Sequence, residues 1–128
     1  VMNVGRLRSG RTQAVADEIA QVVRAIPGTP VKVILEACFL TDEEKRVACR
    51  LVRDAGAAFV KTSTGVKPAG GATLADIRLL RAAVGLDFGV KASGGIRTLA
   101  EAMAMLEAGA NRLGTSASAA ILSTLPAS

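Results

Sequence analysis

Short apolar runs recur along the chain at a spacing that leaves room for one helix between each pair. They occupy residues 1–4, 31–35, 58–60, 88–92 and 112–114. From one run to the next pass roughly 23 to 30 residues, the length of a strand–helix unit. Strands connected in this way run parallel, because the intervening helix has to cross back over the sheet. The stretches between them carry helical signals. Thr41-Asp-Glu-Glu44 and Thr98-Leu-Ala-Glu101 read as capping boxes, and Thr73-Leu-Ala-Asp76 is a weaker version of the same pattern. Gly56 and Gly109 stand where a left-handed helix stop belongs. Helices are therefore predicted over residues 12–25, 42–55, 74–84, 99–108 and 116–123.

One repeat sharpens the architecture. Asp54-Ala-Gly-Ala-Ala-Phe-Val-Lys-Thr-Ser63 matches Glu107-Ala-Gly-Ala-Asn-Arg-Leu-Gly-Thr-Ser116, 53 residues further on. Each copy is a helix end, a tight turn, a strand and a polar strand tip. Two strand–helix units separate the copies, as in a barrel of repeated units. A doubly wound open sheet has the same rhythm, but its Gly-rich nucleotide turn is absent. The expected fold is α/β, a partial (β/α)8 TIM barrel with about five strands, in one domain spanning residues 1–128. A complete barrel takes about 250 residues, and this chain has 128. Its start inside an apolar run (Val-Met-Asn-Val) is unusual, so truncation at the amino end is expected.

Composition narrows the function. Half the residues are apolar, mostly Ala, Val, Leu and Ile, with 2% aromatics and 13 glycines, which suits helices packed on a buried parallel sheet. No apolar run approaches the roughly 18 residues of a membrane-spanning helix, so no membrane partner is expected. The net charge is +5 with no histidine. The Lys and Arg residues are scattered and no aromatic platform accompanies them, which argues against nucleic acid and for a small anionic substrate. Cys38 and Cys49 lack metal-ligand spacing and read as reduced thiols of a cytoplasmic protein. No metal-ligand set is evident, which argues against a metal-dependent mechanism.

In such barrels function gathers at the carboxyl ends of the strands. Period-two alternation in Phe59-Val-Lys-Thr-Ser-Thr-Gly65 puts Phe59, Lys61 and Ser63 on one face, opposite Val60 and Thr62. In Gly89-Val-Lys-Ala-Ser-Gly-Gly95 the corresponding set is Gly89, Lys91 and Ser93. The two lysines thus stand at equivalent positions on adjacent strands, and both point into the barrel if Val60, Val90 and Ala92 pack under the helices. At about 5 Å and an effective dielectric near 20, their repulsion is roughly 3 kcal/mol. That lowers the pKa of one amine, and desolvation lowers it further. A neutral amine near pH 7 is a nucleophile for carbonyls. On the preceding strand Lys32, Ile34 and Glu36 share a face, and Lys32 and Glu36 either neutralise each other or serve the site.

Two segments read as phosphate cradles. Ser93-Gly94-Gly95 follows one strand, and Gly114-Thr115-Ser116 follows the last and opens a helix. Glycine lets backbone amides approach an oxyanion, and a helix start favours negative charge.

These residues together resemble a known family. Lys-Thr-Ser-Thr-Gly (61–65), Gly-Gly-Ala-Thr (70–73), Val-Lys-Ala-Ser-Gly-Gly-Ile-Arg-Thr (90–98) and Gly-Thr-Ser (114–116) are similar to the signature segments of deoxyribose-phosphate aldolases. Val-Lys-Val-Ile-Leu-Glu (31–36) and Asn-Val-Gly (3–5) fit in the same order. The resemblance covers essentially the whole chain and places it at about strands 4 to 8 of the barrel. It implies a cytoplasmic class I lyase of deoxyribonucleotide and carbohydrate catabolism that needs no cofactor. The implied reaction is reversible cleavage of 2-deoxy-D-ribose 5-phosphate to D-glyceraldehyde 3-phosphate and acetaldehyde. Lys61 matches the Schiff-base lysine and Lys91 the second lysine that depresses its pKa. Thr64, Gly94, Gly95 and Ser116 match positions around the substrate phosphate, and Lys32 a supporting lysine. The full-length form is compatible with a homodimer.

Two departures stand out. The family's relay aspartate belongs two residues upstream of Val1, outside this sequence. Some relatives carry a lysine directly after Thr-Ser-Thr-Gly, where this chain has Val66 and then Lys67. With an incomplete relay and exposed sheet edges, these residues alone are expected to be poorly active and prone to associate. A class I aldolase for another sugar phosphate and a non-catalytic phosphate-binding half-barrel stay open as alternatives.

Overall fold

The computed structural model describes residues 1–66 and 70–125. In chain order the elements are α1 (Val4–Arg8), α2 (Thr12–Ala25), β1 (Lys32–Ile34), a single 3-10 turn (Ala37–Phe39), α3 (Asp42–Asp54), β2 (Phe59–Lys61), α4 (Leu74–Val84), β3 (Gly89–Ser93), α5 (Leu99–Glu107), β4 (Arg112–Gly114) and α6 (Ser118–Ser123). The four strands form one sheet in the order β1-β2-β3-β4, and every neighbouring pair is parallel.

The helices start where the caps predict. Thr41 Oγ1 accepts from the Glu44 amide at 3.2 Å while the Glu44 carboxylate accepts from the Thr41 amide at 2.8 Å. Thr98 and Glu101 repeat this box at the head of α5. The backbone N–H groups of Arg97 and Thr98 hold the Glu101 carboxyl below its usual pKa range. At α4 only the Thr73 hydroxyl caps, accepting from the Asp76 amide at 3.0 Å. Past the ends of α3 and α5 the chain turns through Gly56 at φ 82° and Gly109 at φ 117°, a conformation a side chain disfavours.

Two expectations fail at the chain's ends. Residues 1–4 do not form a strand, so the described sheet has four strands where five were expected. The Met2 N–H does donate to the Ile34 carbonyl at 3.0 Å, but the Asn3 side chain then accepts from the Arg6 amide and opens α1. An asparagine that caps a helix takes the backbone out of the extended ladder. The last helix begins at Ser118, not Ser116. Thr115 holds its neighbours off the helix, its hydroxyl donating to the Ile96 carbonyl and accepting from the Ala117 amide.

The core lies between the sheet and the helices on one face. Val60, Val90 and Ala92 are completely buried, packed with Val15 of α2, Ala48, Cys49 and Val52 of α3, and Ile77, Leu80 and Val84 of α4. One buried cation ties two helices together, as Lys45 on α3 pairs with Asp76 on α4 at 2.6 Å and Asp42 at 3.1 Å. Desolvation alone would lower the Lys45 pKa, but the two carboxylates outweigh it and raise it. Among the described residues no helix is long and apolar enough to cross a membrane.

The two thiols sit in opposite environments. Cys38 is exposed, whereas Cys49 is buried in the core, where desolvation pushes its thiol up to about 12. Since the thiolate is the reactive form, Ellman's reagent should titrate one thiol in the native chain and a second only after denaturation. Two fast thiols in a folded sample would contradict this packing.

Candidate active site

The parallel register aligns side chains across the uncovered face of the sheet. Ile34 pairs with Lys61, Lys61 with Lys91, and Lys91 with Arg112. Cross-strand partners point to the same side, so Lys61 and Lys91 are lateral neighbours, as their strands' alternation implied. Val60 and Val90 anchor the opposite face without exposure. One level toward the strand starts, Lys32 pairs with Phe59 and Phe59 with Gly89. One level toward the tips, Ser93 pairs with Gly114.

Lys61 has its pKa lowered. Burial is the largest cause, the charge of Lys91 the next, and Lys32 adds to it, while Glu36 opposes. The direction matches the expectation; the order differs, since repulsion was expected to lead and desolvation to assist. A charged amine on a half-buried sheet face loses hydration before it meets its neighbour's field. The β2 and β3 tips are locked beside this pair. The Thr62 hydroxyl accepts from the Ser93 amide and donates to the Ser93 carbonyl, which also accepts from the Ser63 hydroxyl. All these groups are buried.

Beyond the tips lies an open cavity of about 340 Å³. Thr64, Gly94, Gly95, Gly114, Thr115 and Ser116 all line it, so six sequence-predicted residues from three loops meet in one place. Gly94 and Gly95 have φ of 92° and 81°. A side chain on Gly94 would meet Ser63 Oγ at 3.0 Å and the Gly71 backbone at 3.1 Å, whereas one on Gly95 would enter open space. Gly94 thus serves close packing, and Gly95 leaves the wall bare. Thr64 is on the wall, but its donors are already engaged: its amide and hydroxyl both donate to the Glu36 carboxylate, the hydroxyl at 2.7 Å.

Lys32 does not reach this cavity. It lies on the level below Lys61, with Nζ 5.5 Å from the Phe59 ring centroid, and acts on Lys61 through its charge. Among the described residues no ion pair joins it to Glu36. Lys67, the candidate replacement for the family's extra lysine, lies outside the described residues.

Sequence reasoning missed two cations. Arg112 extends the Lys61–Lys91 row and rests on Phe59, its guanidinium carbon 4.6 Å from the ring centroid. Alternation with Gly114 along β4 was the available signal. Arg97 lines the cavity, next to the glycine pair already singled out.

The geometry can be set beside known proteins. Deoxyribose-phosphate aldolase of Streptococcus pneumoniae strain Taiwan19F-14 is 58% identical over 122 residues, 95% of this chain and 55% of that protein. The enzyme of strain CGSP14 is 57% identical over the same shares. A solved structure described as a putative deoxyribose-phosphate aldolase from Coccidioides immitis superposes with a TM-score of 0.91 at 40% identity, covering 95% of this chain and 49% of that one. The tetrameric deoxyribose phosphate aldolase of Aeropyrum pernix gives 0.82 at 38% identity over 88% and 49%. No protein-family model matches the chain. The chain spans about half the length of the curated relatives it matches, consistent with the carboxy-terminal half that its motifs implied. Its parallel sheet and helices are part of a (β/α)8 barrel.

The charge arrangement has a measurable consequence. Replacing Lys91 with Met removes the nearest positive charge, so Lys61 should move back up toward the ordinary lysine range without reaching it, because burial remains. Titration of Lys61 by NMR after ¹³C-methylation of the lysines would read this shift. An unmoved Lys61 in a folded Lys91→Met chain would contradict it.

Proposed function

We propose that this chain carries the Schiff-base machinery of a class I aldolase that cleaves 2-deoxy-D-ribose 5-phosphate to D-glyceraldehyde 3-phosphate and acetaldehyde. The observation that carries this reading is the pairing of Lys61 with Lys91 on adjacent strands, Lys91 two residues before Ser93, which lines the glycine-walled cavity; neither lysine lines that cavity itself. Burial and like charge lower the pKa of Lys61, so more of its amine is unprotonated at a given pH than for an ordinary lysine.

The chemistry follows from that amine. The Lys61 nitrogen attacks the aldehyde carbon of the open-chain sugar phosphate, and loss of water leaves a protonated imine. Loss of the C3 hydroxyl proton to a base then breaks the C2–C3 bond, whose electron pair flows into the iminium. D-Glyceraldehyde 3-phosphate departs and an enamine stays on Lys61. Protonation at carbon and hydrolysis by water release acetaldehyde and restore the amine. Lys91 keeps positive charge beside the reacting nitrogen, and the neighbouring cavity holds the phosphate on Gly94, Gly95 and the Gly114–Ser116 loop with Arg97 as counter-charge. Thr64 contributes to the shape of the wall, since its donors face Glu36. The resemblance also implies a relay aspartate, which would take part in proton transfer at this step. The reading includes a cytoplasmic role in deoxyribonucleotide breakdown, no cofactor, one domain over residues 1–128, and a homodimer for the full-length form.

A second reading, a phosphate-binding half-barrel without turnover, is favoured by one observation. The four strands do not close, and the lysine-bearing face is left half-exposed among the described residues.

Borohydride reduction in the presence of acetaldehyde separates the two. The expected outcome is a reduced two-carbon adduct on Lys61, absent from Lys61→Ala, with cleavage of deoxyribose phosphate far slower than adduct formation. A folded chain that forms no adduct on Lys61 would sink the catalytic reading and leave the binding one. Adduct formation with preferred cleavage of a different sugar phosphate would keep the amine mechanism and change the substrate.

A further inference from the structure

Glu36 is unusual on three counts. It is the one non-glycine residue with positive φ among the described residues, at 52°. Its side chain is buried, with 6% exposure. Its carboxylate reaches across to the loop after β2, where Oε1 accepts from the Thr64 amide at 3.1 Å and Oε2 from the Thr64 hydroxyl at 2.7 Å. A left-handed glutamate costs backbone energy that its surroundings must over-determine. The flanking backbone does so: the Leu35 amide donates to the Lys61 carbonyl and the Ala37 amide to the Thr62 carbonyl, both at 2.9 Å. Between these two anchors, the turn at Glu36 swings its side chain past β2 onto the loop that follows.

That loop is a wall of the cavity. Thr64 and Gly65 line it opposite the Gly94–Arg97 segment, and the Thr64 hydroxyl oxygen in turn accepts from the Val66 amide at 3.3 Å. Thr64 therefore takes its position from Glu36. We propose that Glu36 is a positioning residue that sets the β2 wall of the cavity through Thr64 and so governs how tightly the chain holds a phosphate group. The proposal rests on the reading of the cavity as a phosphate site and deepens it.

Glu36 also acts on Lys61 through its charge. Lys61 is faced by Lys91 from β3 and by Lys32 and Glu36 from the β1 side, with Arg112 next in the row on β4. Of these only Glu36 favours the charged amine. Neutralising it should make Lys61 lose its proton at lower pH.

The test uses the 128-residue chain, inorganic phosphate as probe, and acetaldehyde trapping by borohydride as a second readout. Glu36→Gln keeps the shape but leaves one acceptor oxygen for the two Thr64 donors, and Thr64→Val removes the hydroxyl from the other side. Each should weaken phosphate binding by about tenfold, the scale of one charge-assisted hydrogen bond. The double variant should lose no more than the larger single loss, because both act on one contact. The pH midpoint for trapping at Lys61 should move down in Glu36→Gln and by the same amount in the double variant. Losses that simply add, or unaltered phosphate binding in a folded Glu36→Gln chain, would overturn the proposal. Should Glu36→Gln not fold, Thr64→Val still decides: phosphate binding as tight as in the unsubstituted chain rejects the role of the contact. An unsubstituted chain that binds no phosphate while still trapping acetaldehyde would reject the cavity reading, and this proposal with it.

Discussion

Everything at the site depends on the lateral pairing of Lys61 with Lys91, and that pairing is a matter of register. Val60, Val90 and Ala92 go under the helices because the alternative is to leave them in water, and each buried aliphatic side chain gains about 1 to 3 kcal/mol that way. With those residues committed, alternation leaves the lysines no other face. A slip of one residue in either strand would bury an ammonium and expose a valine, so the apolar pattern guards the amine pair indirectly. Thr62 and the Ser93 backbone reinforce the same register beyond the last ladder bond, the Thr62 hydroxyl accepting from the Ser93 N–H and donating to the Ser93 carbonyl.

The open face is held together by electrostatics of mixed sign. Lys32, Lys61, Lys91 and Arg112 share it, and the buried carboxylate of Glu36, bonded to Thr64, opposes Lys32 and Lys91 at Lys61. Part of the burden falls on an aromatic ring. Phe59 has Lys32 within 5.5 Å and Arg112 within 4.6 Å of its centroid, so it offers its negative faces to two cations that flank the lysine pair. The ring can extend toward β4 because its neighbour is Gly89, where a side chain would collide with it at 2.2 Å.

Much of this was legible from residues alone, for identifiable reasons. Helix starts at Asp42, Leu74 and Leu99 were readable because a threonine with an acid three residues on is a local device that needs no tertiary support. The lysine register and the meeting of the Gly94 and Gly114 loops followed from period two and parallel order. What escaped depended on contacts distant in sequence. Residues 1–4 have strand-like composition, yet Asn3 spends its side chain on a helix start. Thr115 delays α6 by bonding to Ile96, 19 residues earlier. Glu36 fits its strand's alternation on paper; its left-handed backbone depends on the Leu35 and Ala37 amides bonded to the distant Lys61 and Thr62 carbonyls.

The internal repeat looks different once the strands are in place. Superimposing the two copies sets Lys61 against Gly114, and a β-carbon at Gly114 would come within 3.0 Å of the Lys91 side chain and 2.9 Å of Ser93 Oγ. One copy thus furnishes the amine, and the other furnishes the vacancy through which its neighbour's amine passes. The duplicated units are complementary rather than redundant, as a key and a keyway are. A lysine placed at position 114 would displace the Lys91 side chain, whose charge adds to burial in lowering the pKa of Lys61.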